Sequence, residues 1–212
     1  MNLLVIAKAP LPGRSKTRLC PPCTPEQAAR VAEAALGDTL AAVLATPGIR
    51  PVLALDGAPG PWLPPGFDVV PQRGEGLDER LASAFEDAGG ASFLVGMDTP
   101  QLTPSMLTDA VERLLAPGVD AVLGPAVDGG WWGIGSLHPD PRAFLGVPMS
   151  TPRTLSAQRT RLASLGWVVD RLPALIDVDR FDDAVAVAAQ VPGTRFARVV
   201  SSLRFKDQEV SV

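Results

Sequence analysis

The sequence predicts one α/β domain built on a mostly parallel sheet flanked by helices. Short apolar runs alternate with helical apolar patterns along the chain, which is the sequence form of that architecture. The 20 Gly and 22 Pro are too many for a helical bundle and suit long shaped loops. At 212 residues, 46% of them hydrophobic, the chain is long enough for one well-filled core.

The elements follow in order. Leu3–Ala7 is a continuous apolar run and reads as a buried first strand. A loop dense in Pro and Gly runs from Lys8 to about Pro22. Thr24 caps a helix with Pro25 at its first position, and Ala28, Val31, Ala35, Leu36, Leu40, Val43 and Leu44 recur at helical spacing. Pro47 and Gly48 stop it. Val52–Leu55 is a second strand ending at Asp56, and Phe67–Val70 a short third. Leu77–Ala88 is a helix. Phe93–Gly96 is a buried strand that runs into Met97, Asp98, Thr99 and Pro100. A helix over Pro104–Leu115 is capped by Thr103. Ala121–Leu123 and Trp131–Ile134 bracket an Asp-Gly-Gly turn, a hairpin or an irregular corner. Ser150 or Thr151, with Pro152 behind, opens a helix to Leu165. Trp167–Val169 is a late strand, Asp177–Asp179 ends another extended piece, and Asp182–Gln190 is a last helix. Residues 1–195 form the domain on this reading, and 196–212 a C-terminal tail.

Composition narrows the chemistry. The chain has one His, no Tyr, two Cys, 3 Lys against 16 Arg, and 16 Asp against 7 Glu. A multi-histidine zinc centre and tyrosine acid catalysis are excluded, which leaves Asp, Arg, a few Lys, backbone amides or a metal on oxygen ligands. A net charge of −4 argues against a broad nucleic-acid surface. No apolar run approaches the ~18 residues of a membrane span. The N-terminus lacks the basic start and apolar stretch of a signal peptide, so a cytoplasmic protein with reduced cysteines is expected.

Five places can carry chemistry. Lys8, Arg14, Lys16 and Arg18 crowd the loop KAPLPGRSKTR, which includes Pro12 and Gly13. It lies just past the first strand, where open α/β sheets bind ligands. Such a loop neutralises a diphosphate; the alternative is a solvated basic loop. Asp98, at the tip of a buried strand, suits Mg²⁺ or Mn²⁺, or else caps the next segment. Asp128, Gly129 and Gly130, with Trp131 and Trp132, combine a carboxylate, close backbone approach and indoles able to stack on a sugar or base; a tight turn with core indoles is the plain alternative. Asp177 and Asp179 fall on one side of an extended segment, unless they only cap the last helix. Ser150 and Thr151 start a helix, whose free amides also attract anions. Cys20 and Cys23 form a C-x-x-C with no second ligand pair and read as incidental, and His138 reads as a loop residue.

AKAPLPGRSKTRL (7–19), GMDTPQL (96–102), GPAVDGGWWGIG (124–135), STPRTLSAQRTRLASLG (150–166) and LIDVD (175–179) resemble, in order, the motifs of the DUF2064 family. The resemblance implies a single Rossmann-like GT-A domain of the nucleotide-diphospho-sugar transferase superfamily. It would transfer a glycosyl group from a nucleotide-diphospho-sugar to a small-molecule acceptor, with Mg²⁺ or Mn²⁺. Lys16 and Arg18 match the loop near the nucleotide phosphates, Asp98 the metal-binding carboxylate, and Asp179 a second metal or acceptor contact. Asp128 and its glycines match the sugar or acceptor side. The family usually has Tyr after Asp-Gly-Gly; Trp131 supplies only an N–H donor there. The first loop is also similar to that of phospholactate guanylyltransferases, which implies nucleotidylyl transfer as the alternative. In glycosyl transfer Asp128 takes the acceptor's proton; in nucleotidylyl transfer Lys16 and Arg18 stabilise charge at the α-phosphate. A non-catalytic nucleotide-binding module is the third reading.

Overall fold

A computed structural model describes residues 1–203. Seven strands form one sheet: β1 (Asn2–Lys8), β2 (Arg50–Asp56), β3 (Asp68–Pro71), β4 (Ser92–Gly96), β5 (Ala121–Pro125), β6 (Trp131–Ser136) and β7 (Val169–Arg171). Their order is β3-β2-β1-β4-β6-β5-β7, all parallel except β6, which runs antiparallel to both β4 and β5. β5 and β6 are the hairpin that Asp128–Gly130 predicts. Among the described residues there are six α-helices: α1 (Pro25–Leu44), α2 (Leu77–Ala88), α3 (Pro104–Leu114) and α4 (Thr154–Ser164), which pack on the sheet, and α5 (Phe181–Gln190) and α6 (Arg195–Ser202), which pack with α1.

Strand alternation divides the core. Leu3, Val5 and Ala7 of β1 face one side with Leu36 and Leu40 of α1 and Leu107 and Leu114 of α3. Leu4 faces the other with Leu81 and Phe85 of α2, Phe144, and Leu162 of α4. Each fully buried Leu or Phe contributes on the order of 2 kcal/mol. Thr24 and Gln27 close the capping box that starts α1, and Thr103 caps α3.

A third cluster positions the site. Leu19 from the first loop and Val178 from the segment after β7 are both fully buried with Val31 and Ala35 of α1, Val187 of α5 and Phe196 of α6. The cationic loop and the Asp177–Asp179 segment are therefore fastened to one another through a shared core. The chain from 196 to 202 belongs to this body rather than to a tail: Phe196, Ala197 and Val200 are buried, and Asp38 of α1 accepts from the backbone N–H groups of Arg195 and Phe196 (3.1 and 2.8 Å). Residues 204–212 of the expected tail lie outside the described residues. Other departures are shifts of boundary. β3 is largely exposed and one residue late, and β7 starts at Val169. α4 begins at Thr154 after a turn over 151–153, so Thr151 precedes the helix instead of capping it. Among the described residues no helix is long and apolar enough to cross a membrane.

Candidate active site

The strand order reverses between β1 and β4, and a cleft of about 790 Å³ opens beyond their carboxyl ends. Lys8, Arg14, Lys16, Arg18, Asp98, Asp128, Gly130, Trp131, Ser150, Thr151, Asp177 and Asp179 all line it. Segments up to about 170 residues apart in sequence thus meet in one place. Pro12 and Gly13 sit on the exposed crest of the loop, off the cleft wall. Gly129 is turned away against Pro152.

The loop is held by its own bonds. Ser15 Oγ donates to the carbonyl of Ala9 (2.9 Å), and the backbone N–H groups of Arg14 and Ser15 donate to Leu11 (3.1 and 3.2 Å). Lys16 adopts a left-handed backbone (φ +53°), a conformation that costs an L-residue about 1 kcal/mol. That turn sends its side chain inward, where it is only 9% exposed. Its Nζ stands 2.6 Å from Asp98 Oδ1 and also donates to the carbonyl of Val178. Arg18 Nη1 donates to Asp179 Oδ2 at 2.7 Å. Lys8 and Arg14 are exposed and pair with no acidic side chain among the described residues. The segment carrying the carboxylates is stitched to the sheet: Val178 N–H donates to Asp98 C=O (2.9 Å), and Gln101 Nε2 donates to Ile176 C=O (2.7 Å).

Asp177 is the anomalous group. Its Oδ1 is buried without a hydrogen-bond partner. Burial first, then the neighbouring Asp98 and Asp128 carboxylates, push it up to about 7, with Lys16 pulling the other way. Asp179, by contrast, is already paired with Arg18. A divalent cation between Asp98 and Asp177 would relieve both the repulsion and the orphaned oxygen. Among the described residues no three His, Cys, Asp or Glu side chains converge as a ready-made metal cage. The residues therefore fit a cation held by one or two carboxylates and completed by phosphate oxygens, a common mode for Mg²⁺.

Close packing and hydrogen bonds join the Asp128–Trp131 turn to the start of α4. Asp128 Oδ1 accepts from Gly130 N–H (2.8 Å), which leaves Oδ2 for the cleft. Gly129 has φ +92°, and a Cβ there would lie 2.2 Å from the carbonyl oxygen of Pro152; Leu155 N–H donates to Gly129 C=O (2.9 Å). Only glycine lets the Asp128–Trp131 turn and the start of α4 approach so closely. Thr154 Oγ1 accepts from Thr151 N–H (3.1 Å) and donates to Pro148 C=O (2.9 Å).

Several lining residues escape sequence reasoning. Arg80 and Glu75 reach the cleft from α2 and the loop before it, and Thr99 stands beside Asp98 with its hydroxyl buried and unpaired. Arg80 is paired with Asp56 at 3.2 Å; Asp56 ends β2, and the carboxyl-end rule applied to it would have pointed there. Cys20 and Cys23 are both free, and burial followed by the neighbouring Cys20 raises the Cys23 thiol.

Residues 30–151 match the family described as "Uncharacterized protein conserved in bacteria (DUF2064)". Across 187 residues the chain is 30% identical to the 2-phospho-L-lactate guanylyltransferase of Haloarcula marismortui, covering 84% of this chain and 82% of that one. A structure from Desulfovibrio desulfuricans G20, provisionally named a nucleotide-diphospho-sugar transferase, superposes with a TM-score of 0.81 at 24% identity, over 95% of this chain and 94% of the other. A cytidylyltransferase from Leptospira borgpetersenii gives 0.60 at 11% identity, over 94% and 92%. The fold is thus that of nucleotide-diphospho-sugar and nucleotidylyl transferases.

Proposed function

The chain belongs to the DUF2064 family, and from that membership we propose that it is a divalent-metal-dependent glycosyltransferase using a nucleotide-diphospho-sugar donor. One observation carries the reading: four cations of the first loop and a group of carboxylates line one cleft. Lys16 and Arg18, now paired with Asp98 and Asp179, are placed to turn their charge onto a diphosphate, with Lys8 and Arg14 at the rim. Mg²⁺ or Mn²⁺ would be held by Asp98 with Asp177, and by Asp179 where Arg18 releases it. When bound, the ion supplies Lewis-acid stabilisation of the leaving phosphate.

The step assigned to the chain's own groups is simple. Asp128 accepts, through its free oxygen, the proton of an acceptor hydroxyl as the oxygen of that hydroxyl bonds to the anomeric carbon. The bond from that carbon to the donor's diphosphate breaks, and Lys16 and Arg18 neutralise the departing nucleoside diphosphate. Trp131, Ser150 and Thr151 border the acceptor's side.

A second reading, nucleotidylyl transfer, is favoured by the likeness to the guanylyltransferase and by the number of loop cations, which suits a triphosphate. There Lys16 and Arg18 would stabilise charge at the α-phosphate under in-line attack. Calorimetry with UDP-, GDP- and CDP-sugars against the corresponding triphosphates, in Mn²⁺, separates the two. The glycosyl reading expects a nucleotide-sugar to bind and to release its nucleoside diphosphate. Lys16→Met keeps the aliphatic stem and removes the charge, and should weaken binding at least about tenfold, or 1.4 kcal/mol. Release of pyrophosphate from a triphosphate, with no sugar turnover, would reverse the order of the two readings. A Lys16→Met protein that binds nucleotide normally would remove the loop from both.

A further inference from the structure

Resting on that reading of the cleft, we propose that the acceptor is an uncharged, hydroxyl-bearing small molecule, a sugar or polyol, seated between the Asp128–Trp131 turn and the segment 149–154. The cations lining the cleft come from few segments. Among the described residues, every cation on its wall belongs to the first loop (Lys8, Arg14, Lys16, Arg18) or to α2 (Arg80). Residues 128–131 and 149–151, joined through Gly129 and Pro152, contribute Asp128, Trp131, Met149, Ser150 and Thr151 to the lining: one carboxylate, two hydroxyls, an indole and a thioether, and no cation. Arg153, the cation nearest in sequence, points elsewhere; it lines a separate groove along α4 with Arg161.

An acceptor phosphate or carboxylate needs cations or aligned N–H donors in its pocket. Here it would meet Asp128, and the loop cation whose charge reaches that carboxylate, Arg18, is already paired with Asp179 and on the donor reading turns to the diphosphate. A sugar needs the reverse: a hydrogen-bond acceptor for a hydroxyl, small polar groups, and an apolar plate. Asp128 Oδ2 and Ser150 supply the first two. Trp131 supplies the plate, because its ring packs on the core cluster around Phe144 and Leu162 while still bordering the cleft. The clasp between Gly129 and Pro152 holds these groups in place before anything binds, so little ordering is needed on binding.

The test is saturation-transfer NMR on the full chain loaded with nucleotide and Mg²⁺. The probes are sugars and polyols paired with their own monophosphates, glucose with glucose 6-phosphate and glycerol with glycerol 3-phosphate, together with 2-phospho-L-lactate. At least one uncharged compound should show transfer that Trp131→Ala cuts fivefold or more, with nucleotide affinity unchanged. No monophosphate should bind more tightly than its parent, and Ser150→Lys should invert that order. Tighter binding of the monophosphates or of 2-phospho-L-lactate to the unaltered chain would overturn the proposal, as would the absence of any Trp131-dependent uncharged ligand. The nucleotide's own signals in the same samples report separately on the donor reading, whose failure shows as loss of those signals.

Discussion

Asp98→Ala should abolish measurable Mn²⁺ binding and lower donor turnover by three orders of magnitude or more, while the protein still folds. The size follows from position. Asp98 stands at the tip of β4, half-exposed to the cleft, opposite Lys16 and beside Asp177. Removing it deletes one of the two carboxylates that fit a cation and frees Lys16 to move toward Asp177. A thousandfold loss is about 4 kcal/mol of transition-state stabilisation, within what a Lewis-acid ion provides. The fold is expected to persist because the structural bond at this position is the main-chain carbonyl of Asp98, which accepts from Val178 N–H and is untouched by the substitution. Calorimetry with Mn²⁺, turnover and a thermal melt measured on one preparation check all three parts. Unaltered Mn²⁺ affinity would remove Asp98 from the metal assignment.

Asp177→Asn should make the metal-free protein more stable at pH 8 and inactive at any pH. The folded-state pKa of Asp177, about 7, lies above its unfolded value near 4, so the folded state holds its proton longer than the unfolded chain does. The stability tied to that proton is fully present below about pH 4 and is lost as pH rises through 7. Asparagine removes the loss. The gain at pH 8 is at most on the order of 4 kcal/mol, which for a chain of this length is a rise in Tm of up to about 10 °C. At pH 4 the two proteins should melt together. Melts in EDTA across pH 4–8 measure this, and adding Mn²⁺ should stabilise only the parent. A variant that is less stable at pH 8, or that still responds to Mn²⁺, would contradict the account.

The two variants also mark how far sequence carries. The apolar run Leu3–Ala7, the span of α2 and the tips at Lys8 and Asp98 were legible because local pattern decides them: continuous burial, helical spacing and a strand ending in a polar residue. So was the meeting of the first loop with Asp98, which rests on the carboxyl-end rule for open sheets. The distinction between Asp177 and Asp179 was not legible. Alternation places both on one face; only tertiary packing buries the first beside Asp98 and hands the second to Arg18. The helix Arg195–Ser202 was missed for a similar reason. It is short, and its stability comes from α1, whose Asp38 caps it from more than 150 residues away. Arg80 entered the cleft through an ion pair with Asp56 that no local pattern signals.

The central claim is that one cleft holds a cation between Asp98 and Asp177 and a diphosphate against Lys16 and Arg18. A crystal soaked with Mn²⁺ and the nucleotide that calorimetry selects tests it directly, by anomalous difference density at the manganese edge. The account predicts a peak between those two carboxylates, with Lys16 and Arg18 swung from Asp98 and Asp179 onto the phosphates. Nucleotide bound elsewhere, or in this cleft with both ion pairs intact and no manganese at Asp98, would contradict it.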